Sequence, residues 1–196
     1  LADYITSVAE AADKSVGIVE KLWQGIESIR NKKLSQENFL RAYYLEVVNN
    51  LEFLQVVDLE SLKDLSPSDH GVKMVLSNLQ TEYGAAILFS EEFKHNVSLF
   101  KFFRNRGALD NKDNMINNTQ KAGSAPRKYV YENILQAIGF TVVKIQVLKR
   151  LSTFPDSLKG ITQPIQLGRR LYNISARFRM IKKKLESLDE IKDFAR

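Results

Sequence analysis

Two histidines and no cysteine make up the chain's stock of soft or near-neutral titratable side chains. Without cysteine there is no thiolate nucleophile, no thiolate metal site and no disulfide. A Ser-His-Asp site would have to be built on His70 or His95. His70 lies in Ser68-Asp69-His70-Gly71, beside a helix start, where a solvated first-turn residue is expected. His95 closes Glu92-Phe93-Lys94-His95, the Glu-x-x-His spacing with which di-iron bundles present two ligands from one helix. That pattern needs a second copy, and Pro67 stands three positions before His70. The periodicity also turns Phe93 inward and leaves His95 near the opposite face. No metal ligand is expected.

Paired carboxylates could come from Glu46 and Glu52. Six residues apart on a helix, they diverge by about 120° of arc, so both are expected on a solvated face. Asn49-Asn50 lies beside the apolar seam and is expected to set helix register by hydrogen bonding. The nine glycines are never closer than eight positions apart, which excludes a phosphate-cradling loop and a dinucleotide fingerprint. No Gly-x-Ser-x-Gly elbow occurs. The sequence thus supplies no catalytic residue, no cofactor-binding residue and no small-molecule site, and a non-enzymatic protein is expected.

Charge is the stronger signal. The 196 residues carry a net +6, but residues 1 to 98 hold 9 Lys/Arg against 15 Asp/Glu, and residues 99 to 196 hold 20 against 8. Within 101 to 184, 18 basic residues face only Asp110, Asp113, Glu132 and Asp156. In the last periodic segment Arg170, Arg177 and Lys184 recur every seven residues along one flank, while Arg169, Arg179, Lys182 and Lys183 cover the outer face. These seven are the candidate residues for an anionic partner, either nucleic acid or an acidic membrane surface. The competing expectation is that their stems cover the core and their charges pair with acidic helices such as the Asp13, Glu20, Glu27 stripe. Phe100-Lys101-Phe102-Phe103-Arg104-Asn105-Arg106 is read as aromatics closing one end of the core, with cations at a helix C-terminus. Sequons stand at Asn96, Asn117 and Asn173.

The elements that must position these residues follow from spacing. Five segments place apolar residues at alternating steps of three and four. The first runs through Ile5, Val8, Ala12, Ser15, Val19, Leu22, Ile26 and Ile29. The second opens at Ser35, with a Leu34 to Phe39 staple, and continues through Leu40, Tyr44, Val47, Leu51 and Leu54. The third starts at Ser66-Pro67 and follows Val72, Leu76, Leu79, Tyr83, Ala86, Phe93, Val97 and Phe100, with a break near Gly84 or Ser90. The fourth follows Pro126 through Tyr131, Ile134, Ile138, Thr141, Ile145 and Leu148. The fifth follows Pro164 through Leu167, Leu171, Ile174, Phe178, Ile181, Leu185 and Leu188.

Strand-like alternation is not seen. The fold class expected is all-α, an elongated antiparallel up-and-down bundle of four to five long, coiled-coil-like helices. It forms one domain over 1–196, with a polar, mobile loop at about 105–125 and a turn or short helix at 152–160. The longest uncharged stretch near the fourth segment, 133–143, is far short of a membrane span, so a soluble chain without a targeting segment is expected. A start at Leu1 rather than Met suggests that an upstream segment once preceded it. No motif is specific enough to name a family. The function expected is a helical interaction or scaffolding module that binds a protein partner or itself.

Overall fold

A computed structural model of the chain describes residues 36–62, 65, 69–89, 97–109, 115–118, 127–153, 167–192 and 194–195. The first periodic segment, the Ser35 and Ser66-Pro67 caps, His95 and most of 152–160 lie outside the described residues. The described chain is mostly helical. Three long helices, α1 (Gln36–Val56), α5 (Ile134–Ser152) and α6 (Leu167–Leu185), accompany three short ones, α2 (His70–Asn78), α3 (Glu82–Phe89) and α4 (Val97–Arg104). A single turn, α7 (Asp189–Lys192), follows α6.

The long helices form where the three-and-four spacing is unbroken. On α6, Leu167, Leu171, Ile174, Phe178, Ile181 and Leu185 are all buried. Leu40, Tyr44, Val47, Leu51 and Leu54 of α1 face them, and α5 adds Ile134, Ile138, Thr141, Ile145 and Leu148. Each long aliphatic side chain so buried contributes roughly 1.5–3 kcal/mol, which commits these faces to one core. The N-terminal half of α1 lies beside the end of α6: Tyr44 Oη donates to Glu186 at 2.9 Å, and Lys182 donates to the same carboxylate. Phe194 meets Tyr44 edge-on, and the Arg41 guanidinium lies 5.4 Å from the centre of the Phe194 ring.

The third periodic segment is not one helix. It is divided at Leu79-Gln80-Thr81, where Leu79 takes an extended conformation, and Gly84 lies inside α3 rather than at the break. α2 begins at His70, capped by Asp69, whose side chain accepts from Gly71 N at 2.9 Å. Periodicity survives the break because the turn returns the chain to the same core: Val72, Leu76, Leu79 and Ala86 are all buried. α2, α3 and α4 each pack on α5.

The polar stretch after α4 also differs from expectation. A 3-10 turn spans Arg106–Ala108, with Asn105 accepting from Gly107 N at 2.9 Å. Strands β1 (Met115–Asn118) and β2 (Arg127–Val130) then pair antiparallel, Met115 opposite Val130 and Asn118 opposite Arg127. Four residues are too few for alternation to stand out, and Asn is disfavoured in strands, so local pattern could not reveal a ladder that exists by mutual pairing and by packing of β1 on α6. β2 displaces the start of α5 to Ile134. Asn133 caps it by accepting from Gln136 N at 2.8 Å, while Gln136 reaches back to Glu132 N at 2.7 Å.

Two helical glycines should respond oppositely to alanine. A methyl group on Gly139 would meet Leu88 Cδ2 at 3.6 Å, an ordinary contact, so Gly139→Ala should stabilise by about 0.5–1 kcal/mol through helix propensity. A methyl on Gly84 would stand 3.0 Å from Val142 Cγ2, 3.2 Å from Glu46 Oε1 and 3.3 Å from Tyr43 Cε2. Gly84→Ala should therefore cost about 1–2 kcal/mol net, measured by urea denaturation of both variants.

Candidate functional site

The break between α2 and α3 leaves a run of backbone polar groups at the edge of the core, partly shielded from water, and side chains from two other helices bond to them. Asn50 of α1 makes a two-way bond to the backbone of one residue: its Nδ2 donates to Gln80 O and its Oδ1 accepts from Gln80 N, both at 2.8 Å. One turn earlier on α1, Glu46 accepts from Tyr83 N at 2.7 Å and from Gly84 N at 3.0 Å, the open donors at the start of α3. From α5, Gln146 donates to Thr81 Oγ1 at 2.7 Å and Lys149 donates to Leu79 O at 2.6 Å.

Glu46 is only 4% exposed, which corrects the solvated face expected of it; Glu52 is exposed, and the two do not converge. The spacing argument separated Glu46 from Glu52, but it could not show that an unpaired helix start would be delivered opposite Glu46. Asn50 does hydrogen-bond, to backbone rather than to a partner side chain; Asn49 is exposed.

Burial pushes the Glu46 carboxyl up to about 7, the Glu82 charge adding to the rise while the two backbone donors and Lys149 oppose it. Burial, with the nearby Glu46 charge, also raises the Tyr43 phenol, and burial lowers the Lys149 ammonium against the pull of Glu82 and Glu46. A carboxyl near neutrality beside a half-buried Lys has the electrostatics of an acid/base site. Its geometry differs: both carboxylate oxygens accept from backbone N–H groups, and the Lys149 ammonium is bonded to a carbonyl. The cluster anchors a turn. Among the described residues no group of three or more His, Asp or Glu could hold a metal ion.

The seven basic candidates are scattered. Arg177 is 4% exposed, with Nε bonded to Tyr131 Oη and the guanidinium 5.8 Å from that ring, so it leaves the surface set. Its seven-residue repeat with Arg170 and Lys184 marked the flank of the seam, and Tyr131 lies over that flank at its middle. Arg170 is exposed, Lys184 half-buried. Arg179, over the Tyr172 ring at 5.9 Å, and Lys183 are exposed on the outer face, with Arg169 half-buried. Lys182 is half-buried against Glu186. At 100° per residue Arg170 and Arg179 point to opposite sides of α6. Lys182 to Glu186 and Arg106 to Glu132 at 3.2 Å pair charges inside the basic half. Asn173 is buried on α6 and cannot present its sequon; Phe103 is buried and Phe100 half-buried, with Arg104 over the Phe100 ring at 5.2 Å.

A surface missed by the sequence reading lies on α5. Phe140, Val143 and Val147 are 44%, 54% and 40% exposed, and Leu151 beside them is half-buried. They fall within about 80° of the helix circumference. Exposed Lys144 and Arg150 flank the stripe. At its start Tyr131 meets Phe140 edge-on at 5.6 Å, next to Val130, itself exposed. The signal was present in the sequence: α5 is apolar around most of its circumference, more than one core face uses. None of the described helices is long and apolar enough to cross a membrane.

Two outcomes test these buried polar contacts, the Glu46 anchor and the Arg177–Tyr131 pair. Because the native Glu46 value, about 7, lies above the ordinary 4.5, the folded state keeps a proton that the unfolded chain releases. The stability conferred by that proton is complete below pH 4.5 and is lost as pH rises through 7. Glu46→Gln cannot ionise, so the stability of wild type minus variant should fall by roughly 3 kcal/mol between acid and mildly alkaline pH, read by urea titration. A difference independent of pH refutes it. Tyr131→Phe removes the partner of a buried guanidinium and should cost about 2 kcal/mol in the same titration.

Comparison of the chain with protein-family models, curated proteins and solved structures gave no match.

Proposed function

We propose that this protein is a non-enzymatic helical interaction module that binds a protein partner through the exposed apolar stripe of α5. Its long helices are read as an elongated up-and-down bundle that serves as a rigid platform. The observation carrying the reading is the exposure of Phe140, Val143 and Val147 on one face of a helix whose opposite face is fully committed to the core. Contiguous apolar surface framed by polar groups marks protein contact sites. Positions spaced three and four apart on a rigid helix suit helix-to-helix docking. The polar cluster supports a non-enzymatic reading, since buried Glu46 and Asn50 and half-buried Gln146 and Lys149 are each bonded to the turn between α2 and α3.

The anionic-partner reading through α6 has less support, because Arg177 is buried and the remaining basic residues diverge around the helix.

The full chain, used as bait in extract from its source, should retain a partner identifiable by mass spectrometry. Val143→Glu with Val147→Glu should weaken its binding at least about tenfold, since each buried Val contributes roughly 1.5 kcal/mol or more. Retention undiminished by the double variant overturns the α5 surface. Light scattering tests self-association through the same stripe. Salt-sensitive binding to nucleic acid or acidic vesicles, lost on Arg179→Ala with Lys183→Ala, would transfer the function to α6.

A further inference from the structure

We infer that the partner seated on the α5 stripe is an acidic amphipathic helix of another protein, one that lays its apolar face along Phe140, Val143, Val147 and Leu151 and sets a carboxylate against Lys144 on one edge and against Arg150 on the other. This rests on the α5 stripe being the partner surface.

The placement of charge on α5 carries the inference. At 100° per residue the stripe runs around the helix in the order Val143, Val147, Phe140, Leu151, with Arg150 about 20° outside Val143 and Lys144 about 20° outside Leu151. Each edge of the stripe therefore holds one cation. Both are exposed, and neither is engaged in an ion pair among the described residues. The third cation of the helix, Lys149, is turned to the other side, where it donates to Leu79 O. No acidic residue occurs anywhere on α5.

An apolar strip with an uncompensated cation on each edge discriminates between occupants. A second copy pairing α5 against α5 would bring Lys144 and Arg150 onto cations in either direction, with no carboxylate on the helix to answer them. A helix with glutamates or aspartates at the edges of its apolar face pairs at both sides. The dimensions define it further. Phe140 to Leu151 covers about 16 Å, three turns, which one partner segment of about twelve residues spans. Lys144 and Arg150 stand about 9 Å apart along the axis, so the two carboxylates belong on opposite edges of the partner's apolar face, about six residues apart.

The test uses the full chain and two fluorescent peptides of about fifteen residues, held helical by a staple on the outer face. Both carry leucines at the three-and-four spacing; one has Glu on each edge and its twin has Lys there. By anisotropy at low salt the Glu peptide should bind at least about tenfold more tightly than the Lys peptide, with the margin shrinking as salt rises. Lys144→Glu with Arg150→Glu, both exposed positions, should reverse the preference, and Val143→Glu with Val147→Glu should abolish binding of the Glu peptide. Circular dichroism verifies that the variants remain folded. The inference is overturned by a Glu peptide that fails to bind, by equal binding of the two peptides, or by a preference that the charge reversal leaves in place. A dimer dispersed by Val143→Glu with Val147→Glu, seen by light scattering, makes a second copy the occupant and overturns it as well. So does association with phosphatidylserine vesicles that is lost in the same variant. A partner retained from extract by the Lys144→Glu, Arg150→Glu chain but lost on Val143→Glu with Val147→Glu removes the acidic helix alone and leaves α5 as the partner surface.

Discussion

The bond set between α1 and the turn before α3 is the constraint on which the rest of the described fold depends. A chain that leaves a helix inside a protein must satisfy the backbone groups it exposes there, and at Leu79 to Gly84 it does so with side chains from two helices remote in sequence. Each unsatisfied buried group would cost about 1–3 kcal/mol, comparable to a large share of a domain's net stability. With the turn pinned, α2 and α3 can both lie on α5, and close contact of Gly84 with Val142 becomes possible. The raised Glu46 carboxyl is the cost of this arrangement, since the group that caps α3 is held where water cannot solvate its charge.

Arg177 solves a similar problem at the other side of α6. Its charge is taken into the flank of the core and met by Tyr131, a residue fixed between the β2 strand and the first turn of α5. A hydrogen bond and a ring contact between Arg177 and Tyr131 thereby add to the packing that joins the start of α5, at the end of β2, to α6. A basic residue counted as surface from its spacing serves to join elements instead.

The core was legible in the sequence wherever one helix buries one stripe: the seam positions on α1, α5 and α6 are buried. Legibility ended where a pattern was shorter than its period or serves two surfaces. The four-residue strands carry too few positions to alternate. The break at 79–81 leaves no gap in apolar spacing, because both helices turn the same side to the same neighbour. On α5 the core stripe was read correctly and hid the second, exposed one, since an apolar residue beyond the seam looks like more core until the neighbours are in place.

The sequence alone determined the helical class, the faces of the long helices, and the lack of cysteine chemistry and phosphate loops, because these follow from composition and from periodicity within a single element. Tertiary structure decided what became of the polar and basic residues. Whether Glu46 is solvated or capping, whether Arg177 is exposed or buried, and whether Phe140, Val143 and Val147 are core or surface depend on which groups stand opposite them, and that is set by contacts between residues tens of positions apart.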